Sequence, residues 1–109
     1  MPARPVRFRD LATADLESAV DYYLREAGNE IALRFVDAVE RTAQRAGNSP
    51  QLGSQRFAYE LGLPGLRVLP VARHPYLMFY VERDELVDVW RLLHLSRDIP
   101  ATLQDPADD

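Results

Sequence analysis

The stretch Gly65–Asp98, GLRVLPVARHPYLMFYVERDELVDVWRLLHLSRD, decides the fold. It contains three apolar, strand-like segments, Leu66–Arg73, Tyr76–Glu82 and Leu86–Leu95, each followed by arginine, histidine or a reverse turn. That pattern predicts an antiparallel meander with polar groups collected at the strand ends. His74 and Pro75 turn the chain between the first two segments, and Arg83, Asp84 and Glu85 turn it between the last two. Pro70 has no N–H to give to a ladder, so Leu66–Arg73 is expected at a sheet edge, with an N-terminal strand beside the last one. Along Tyr76–Glu82, Leu77, Phe79 and Val81 fall on one face and Tyr76, Met78 and Tyr80 on the other.

Before the meander the periodicity changes from two to about three and a half. Arg4–Arg9 (RPVRFR) is a short strand candidate, after which Thr13 is a plausible N-cap with Asp15 and Glu17 in the first turn, where the helix dipole favours acids. Leu16, Ala19, Val20, Tyr23 and Ala27 then form one apolar stripe, predicting a helix over Ala14–Glu26 that Gly28 and Asn29 end. A second stripe, Ala32, Phe35, Val36, Val39, Ala43 and Ala46, runs to Gly47 and stops at Asn48, Ser49 and Pro50. Two helices joined by so short a link pack antiparallel, as a helical hairpin. Asn48–Pro64 carries no sustained period and is expected to be a loop, with Phe57, Tyr59 and Leu61 alternating as in a brief extra strand. The fold class expected is α+β: a helical hairpin on a small, mainly antiparallel sheet. Residues 1–103 form the one domain, and the acidic end 104–109 is read as a disordered tail.

At 109 residues the chain can bury roughly two thirds of its unfolded surface and needs no staples. It has no cysteine, which removes disulfides, thiolate nucleophiles and Cys-ligated zinc. No apolar run approaches the roughly 20 residues of a membrane-spanning helix, and no signal peptide is visible, so a soluble protein with no membrane association is expected. All 13 basic residues are arginine, against 17 acids, for a net charge of -4. Such a balance is ill suited to wrapping long nucleic acid, where neutralising phosphates dominates affinity.

The apolar content of the last two strands exceeds what one helical hairpin can cover. Leu77, Phe79, Val87 and Val89 are assigned to one set and Tyr76, Met78, Tyr80 and Trp90 to the other, leaving a second apolar face. Either the N-terminal strand, the middle loop and the C-terminal segment fold over it, or a partner segment does.

Several motifs together resemble a known family. A-x-x-D-L-E-x-x-x-x-Y-Y (Ala12–Tyr23), G-L-R-V-L-P-V (Gly65–Val71), Tyr76–Tyr80 and R-L-L-H-x-x-R-D-I-P (Arg91–Pro100), in this order, resemble the ParE branch of the RelE/ParE toxins of type II toxin-antitoxin systems. The resemblance covers nearly the whole chain. It implies a small cytoplasmic toxin neutralised by a ParD-like antitoxin, whose flexible half wraps the toxin and whose other domain supplies operator DNA binding. ParE-type relatives are linked to poisoning DNA gyrase without chemistry of their own. RelE-type relatives cleave mRNA on the ribosome with a basic cluster and often a C-terminal tyrosine. With no lysine and no tyrosine after Tyr80, the chain resembles the former, and a non-enzymatic gyrase inhibitor is expected. The alternatives are a ribosome-dependent endoribonuclease and an inactive antitoxin-binding module.

Candidate contact residues for target or antitoxin are Arg67, Arg73, Tyr76, Tyr80, Trp90, Arg91, His94 and Arg97. Arg67, Arg73, Arg91, His94 and Arg97 would form a phosphate site if they gathered at one end of the sheet. Each also has a plain structural role open to it: Arg67 and Arg91 in cross-strand ion pairs, His94 in a hydrogen bond to Asp98, Tyr22 and Tyr23 in hairpin packing. No catalytic residue, cofactor or metal is assigned, since no nucleophile elbow, phosphate loop or metal-ligand spacing is present.

Overall fold

A computed structural model describes residues 3–104. The chain runs β1 (Val6–Phe8), α1 (Asp10–Ala27), α2 (Asn29–Asn48), a 3-10 turn (Pro50–Leu52), α3 (Arg56–Leu61), β2 (Leu66–Pro70), β3 (Tyr76–Glu82), β4 (Val87–His94) and α4 (Ile99–Leu103). The strands form one mixed sheet in the order β1-β4-β3-β2. β2, β3 and β4 are the antiparallel meander, while β1 lies parallel to β4 through Val6↔Val87, Arg7↔Asp88 and Phe8↔Val89. Pro70 indeed ends an edge strand, and that edge is further blunted by a bridge from Ser54 to Val68. The expected Leu66–Arg73 strand stops at Pro70, and residues 71–75 turn the chain.

Helix α1 begins earlier than its expected Thr13 cap. Arg9 occupies the N-cap position and accepts the Thr13 N–H, so Thr13 lies inside the first turn. Continuing the helix back to Asp10 buries Ala12 completely, one more turn of the apolar stripe than the sequence suggested. The link to α2 is the single residue Gly28 at φ 90°, a backbone state in which a side chain would be strained. Ala19, Leu16, Val20 and Tyr23 of α1 and Phe35, Ala38, Val39, Ala43 and Ala46 of α2 pack on Met78, Tyr80, Val87, Val89 and Leu92 of the sheet.

The other face is closed by the chain itself. Phe57 and Ala58 of α3 with Ile99 and Leu103 of α4 cover Phe79, Val81 and Leu93, giving three layers: hairpin, sheet, and two short helices. Thus the middle and C-terminal segments supply the cover, whereas the N-terminal strand joins the sheet in its plane. The expected alternating strand at Phe57–Leu61 is instead a helix: Phe57 is 5% exposed, Tyr59 81%, and the run ends at Gly62 in the left-handed region. Helical spacing puts Phe57 and Leu61 four apart on one face, and a segment of six residues is too short for alternation to exclude this.

Val87 and Val89 also lie on the opposite face from that expected, beneath the hairpin with Met78 and Tyr80, while Trp90 packs with Leu77 and Phe79. Cross-strand register decides this. Tyr80 faces Val89 but Phe79 faces Arg91, so Trp90 is the extra residue of a bulge that shifts the alternation along β4. No helix among the described residues is long and apolar enough to cross a membrane. Of the acidic end, residues 105–109 lie outside the described residues.

Candidate functional site at the sheet ends

The five strand-end groups do not form one cluster. Arg67 lies opposite Tyr80, one pair in from the start of β2, whereas His94 lies opposite Tyr76 at the other end of the sheet. The Arg67 guanidinium donates to the carbonyls of Gln51 (3.0 Å) and Gly53 (2.9 Å), fixing the 3-10 turn rather than pairing with a carboxylate. Tyr80 works beside it. Its fully buried hydroxyl donates to the Pro50 carbonyl at 2.8 Å and accepts the Gly53 N–H at 2.9 Å. Burial pushes this phenol above its ordinary range, so it remains a donor at neutral pH. A side chain on Gly53 would meet that hydroxyl at 2.6 Å, which is why only glycine fits there. Tyr80→Phe is expected to cost about 1–3 kcal/mol, because both backbone groups lose their partner. A urea midpoint within error of wild type would contradict this.

Arg91 is held on a helix. Its Nε and Nη2 donate to the two Asp15 oxygens at 2.7 and 2.9 Å, and the second lone pair of Asp15 Oδ2 takes the Leu92 N–H at 3.0 Å. Asp15 is therefore no first-turn dipole partner. β1 pairs with β4 only from Val87 to Val89, and the carboxylate caps the free edge just beyond. Trp90 is half-buried, its face covered by the Arg9 guanidinium 4.6 Å from the ring centroid. Among the described residues its buried Nε1 meets no hydrogen-bond partner.

The remaining candidates meet where β3 starts and β4 ends. Tyr76, His94 and Arg97 line a hollow of about 350 Å³ together with Asp15, Ser18 and Tyr22. The His94 ring stands edge-on to Tyr76 at 5.1 Å, and its Nδ1 accepts the Ser96 N–H at 2.9 Å. Asp98 is not its partner: that carboxylate caps α4 through the Ala101 N–H. Burial, and then the neighbouring Tyr23 and Tyr22, push the Tyr76 phenol up, so it carries no charge at neutral pH. Tyr23 packs on Phe35 and Tyr76, as hairpin packing required, while Tyr22 is half exposed on the rim. Arg73 stands apart, exposed in the β2–β3 turn at φ 66°.

A second charged centre was missed from sequence. Asp88 is 1% exposed and faces Arg9 at 3.0 Å, Arg7 at 3.4 Å and Arg83 at 3.5 Å. Arg4 joins this edge, bonded to Glu82 and to the Arg83 carbonyl. The signal available was an acid inside the apolar run Val87–Asp88–Val89, opposed by a strand with arginine at alternate positions, Arg7 and Arg9. Among the described residues no group of three histidine or acidic side chains is placed to hold a metal ion.

Residues 6–99 match the family described as ParE toxin of type II toxin-antitoxin system, parDE. The chain belongs to the ParE toxin family. The match spans β1 to the start of α4 and so includes the hairpin, the whole sheet and both charged centres. A solved chain titled "Chromosomal ParDE TA system from P. aeruginosa" superposes with a TM-score of 0.70 at 22% identity, over 84% of this chain and 96% of that one. At that identity the likeness is one of fold, and it fits the ParE architecture of two long helices on a four-stranded sheet. No curated protein matches the chain.

Proposed function

We propose that this ParE-family chain acts in the cytoplasm by binding DNA gyrase and trapping it on cleaved DNA, with no catalytic step of its own. A ParD-like antitoxin neutralises it and carries the operator-DNA binding. The observation that carries the non-enzymatic half is the engagement of the groups that phosphate chemistry would need. Arg91 is tied to Asp15, Arg67 to two carbonyls, and the Tyr80 hydroxyl to Pro50 and Gly53. General acid–base cleavage of RNA requires a proton acceptor and a donor free to reach one substrate. Here the phenols near the hollow are pushed up by burial, and His94 Nδ1 is already occupied by the Ser96 N–H.

A ribosome-dependent endoribonuclease is the reading that the Tyr76–His94–Arg97 hollow would favour, because it holds a phenol, an imidazole and a guanidinium in one recess. One experiment separates the two. Purified protein, with and without its antitoxin, is tested for gyrase supercoiling and cleaved-DNA trapping beside an in vitro translation reaction scored for cut mRNA. Loss of supercoiling with trapped cleavage complex, relieved by antitoxin and with intact mRNA, is expected. Codon-phased mRNA cuts with gyrase unaffected would overturn the proposal.

A further inference from the structure

A groove of about 770 Å³ runs between α2 and the β2–β3 turn. Its floor is apolar, from Tyr23, Ile31 and Ala38, and its rim is arginine. Arg41 and Arg45 stand one helical turn apart on α2, so their side chains lie one above the other, and Arg73 faces the same groove from the turn. Among the described residues none of these three is in an ion pair or a side-chain hydrogen bond. Arg34, also on the rim, is already held by Glu30 at 2.9 Å, and among the described residues Asp37 is the single carboxylate in the lining. The whole chain has a net charge of -4, but three of its 17 acids, Asp105, Asp108 and Asp109, lie outside the described residues, so the body carrying this groove is nearly balanced.

We infer, resting on the antitoxin partnership proposed above, that this groove seats an acidic segment of the antitoxin whose apolar side chains meet the floor and whose carboxylates meet Arg41, Arg45 and Arg73. Charge decides the location. On a surface whose charges otherwise nearly balance, an acidic segment is drawn to the place where unpaired guanidiniums outnumber acids, which gives both a faster encounter and a fixed register. The apolar floor decides the class of partner. A sugar–phosphate backbone gains nothing from covering Tyr23 and Ile31, whereas a peptide with alternating acidic and apolar residues gains from floor and rim together. Exposed guanidiniums contribute modestly one at a time, so the effect is expected from the set rather than from any one of them.

Arg73 supplies a clean test. Its φ of 66° is a backbone state that glycine adopts more readily than arginine, so Arg73→Gly removes the guanidinium while leaving the turn at least as comfortable. Binding of the full chain to its ParD-like antitoxin is measured by titration calorimetry at low and high salt, beside gyrase protection, for wild type, Arg73→Gly and the double variant Arg41→Glu/Arg45→Glu. Circular dichroism and thermal melts confirm that each variant folds. The double variant is expected to lose at least about tenfold in affinity, with the loss shrinking at high salt, and Arg73→Gly about two- to fivefold with its melting temperature kept. Wild-type neutralisation combined with unchanged affinity of both variants overturns the groove assignment and leaves the antitoxin partnership standing. A wild-type chain that the antitoxin neither binds nor neutralises removes the partnership and this inference together. Binding of the free chain to duplex DNA, abolished by the double variant while antitoxin affinity holds, would assign the groove to phosphate and overturn the peptide.

Discussion

Asp15→Ala is expected to destabilise the fold by about 3–5 kcal/mol, the range for removing one partner of a buried ion pair. Both side chains are nearly out of water, at 10% and 13% exposed, so the Arg91 guanidinium is poorly rehydrated when its two-pronged acceptor goes. The same carboxylate holds the Leu92 N–H, so the edge of β4 loses a bond just where β1 no longer protects it. Two consequences separate this from a generic helix mutation. Asp15→Asn keeps an oxygen for Leu92 and one bond to Arg91, and should recover roughly half of the loss. Replacing both partners by apolar residues, Asp15→Leu with Arg91→Met, should cost far less than the single change, because the buried charge is then removed together with the carboxylate that balances it. Urea unfolding of the four proteins decides the matter. A loss below about 1 kcal/mol in Asp15→Ala would show the pair to be no better than a surface bridge.

Asp15 also illustrates what the sequence made legible and what it did not. The segments with a long period or a sharp stop were readable: α2 with its stripe from Ala32 to Ala46, β3 at Tyr76–Glu82, and the edge position of β2 from Pro70. The features that failed all depend on pairing across distance. Alternation in β4 was read on the wrong face because the bulge at Trp90 is visible only once Tyr80 is set against Val89. Asp15 looked like a first-turn acid because nothing local announces that Arg91, 76 positions later, lies against that turn. Likewise Arg67, Arg91 and His94 stood near strand ends in sequence, yet their partners are a 3-10 turn, a helix and a local backbone N–H. Short segments were the other source of error. With only six residues, α3 shows an alternating apolar pattern and a helical one at once, and the sheet face it covers selected the helix. The same face supplies a functional lesson: the apolar surface that suggested a missing partner is closed by α3 and α4, so recognition is more economically sought in the charged groove beside α2.

The second large effect is expected at Asp88, and its sign with pH is fixed by the structure. Burial alone would raise this carboxyl, but the hydrogen bonds and charge of Arg9, then the charge of Arg7, outweigh it and hold the carboxyl below the usual carboxylate range. Arg9 carries most of this, since Arg7 and Arg83 are 62% and 50% exposed and their attraction is screened by water. A group whose pKa is depressed by folding contributes stability above its unfolded value, near 4, and loses that contribution as pH falls through the folded value. Asp88→Asn, which never has the charge, should therefore be less stable than wild type by roughly 3 kcal/mol at neutral pH, somewhat less than for Asp15→Ala because Arg9 can partly rehydrate. The difference should stay constant down to about pH 5 and close as the solution is made more acidic, since wild type then loses what the variant lacks. Urea midpoints of both proteins across the acid range measure it. A gap that widened on acidification would mean that Asp88 is held as a neutral acid, and one independent of pH would mean that folding leaves its carboxyl unshifted; either outcome would show that the three arginines around it are not its counter-charges.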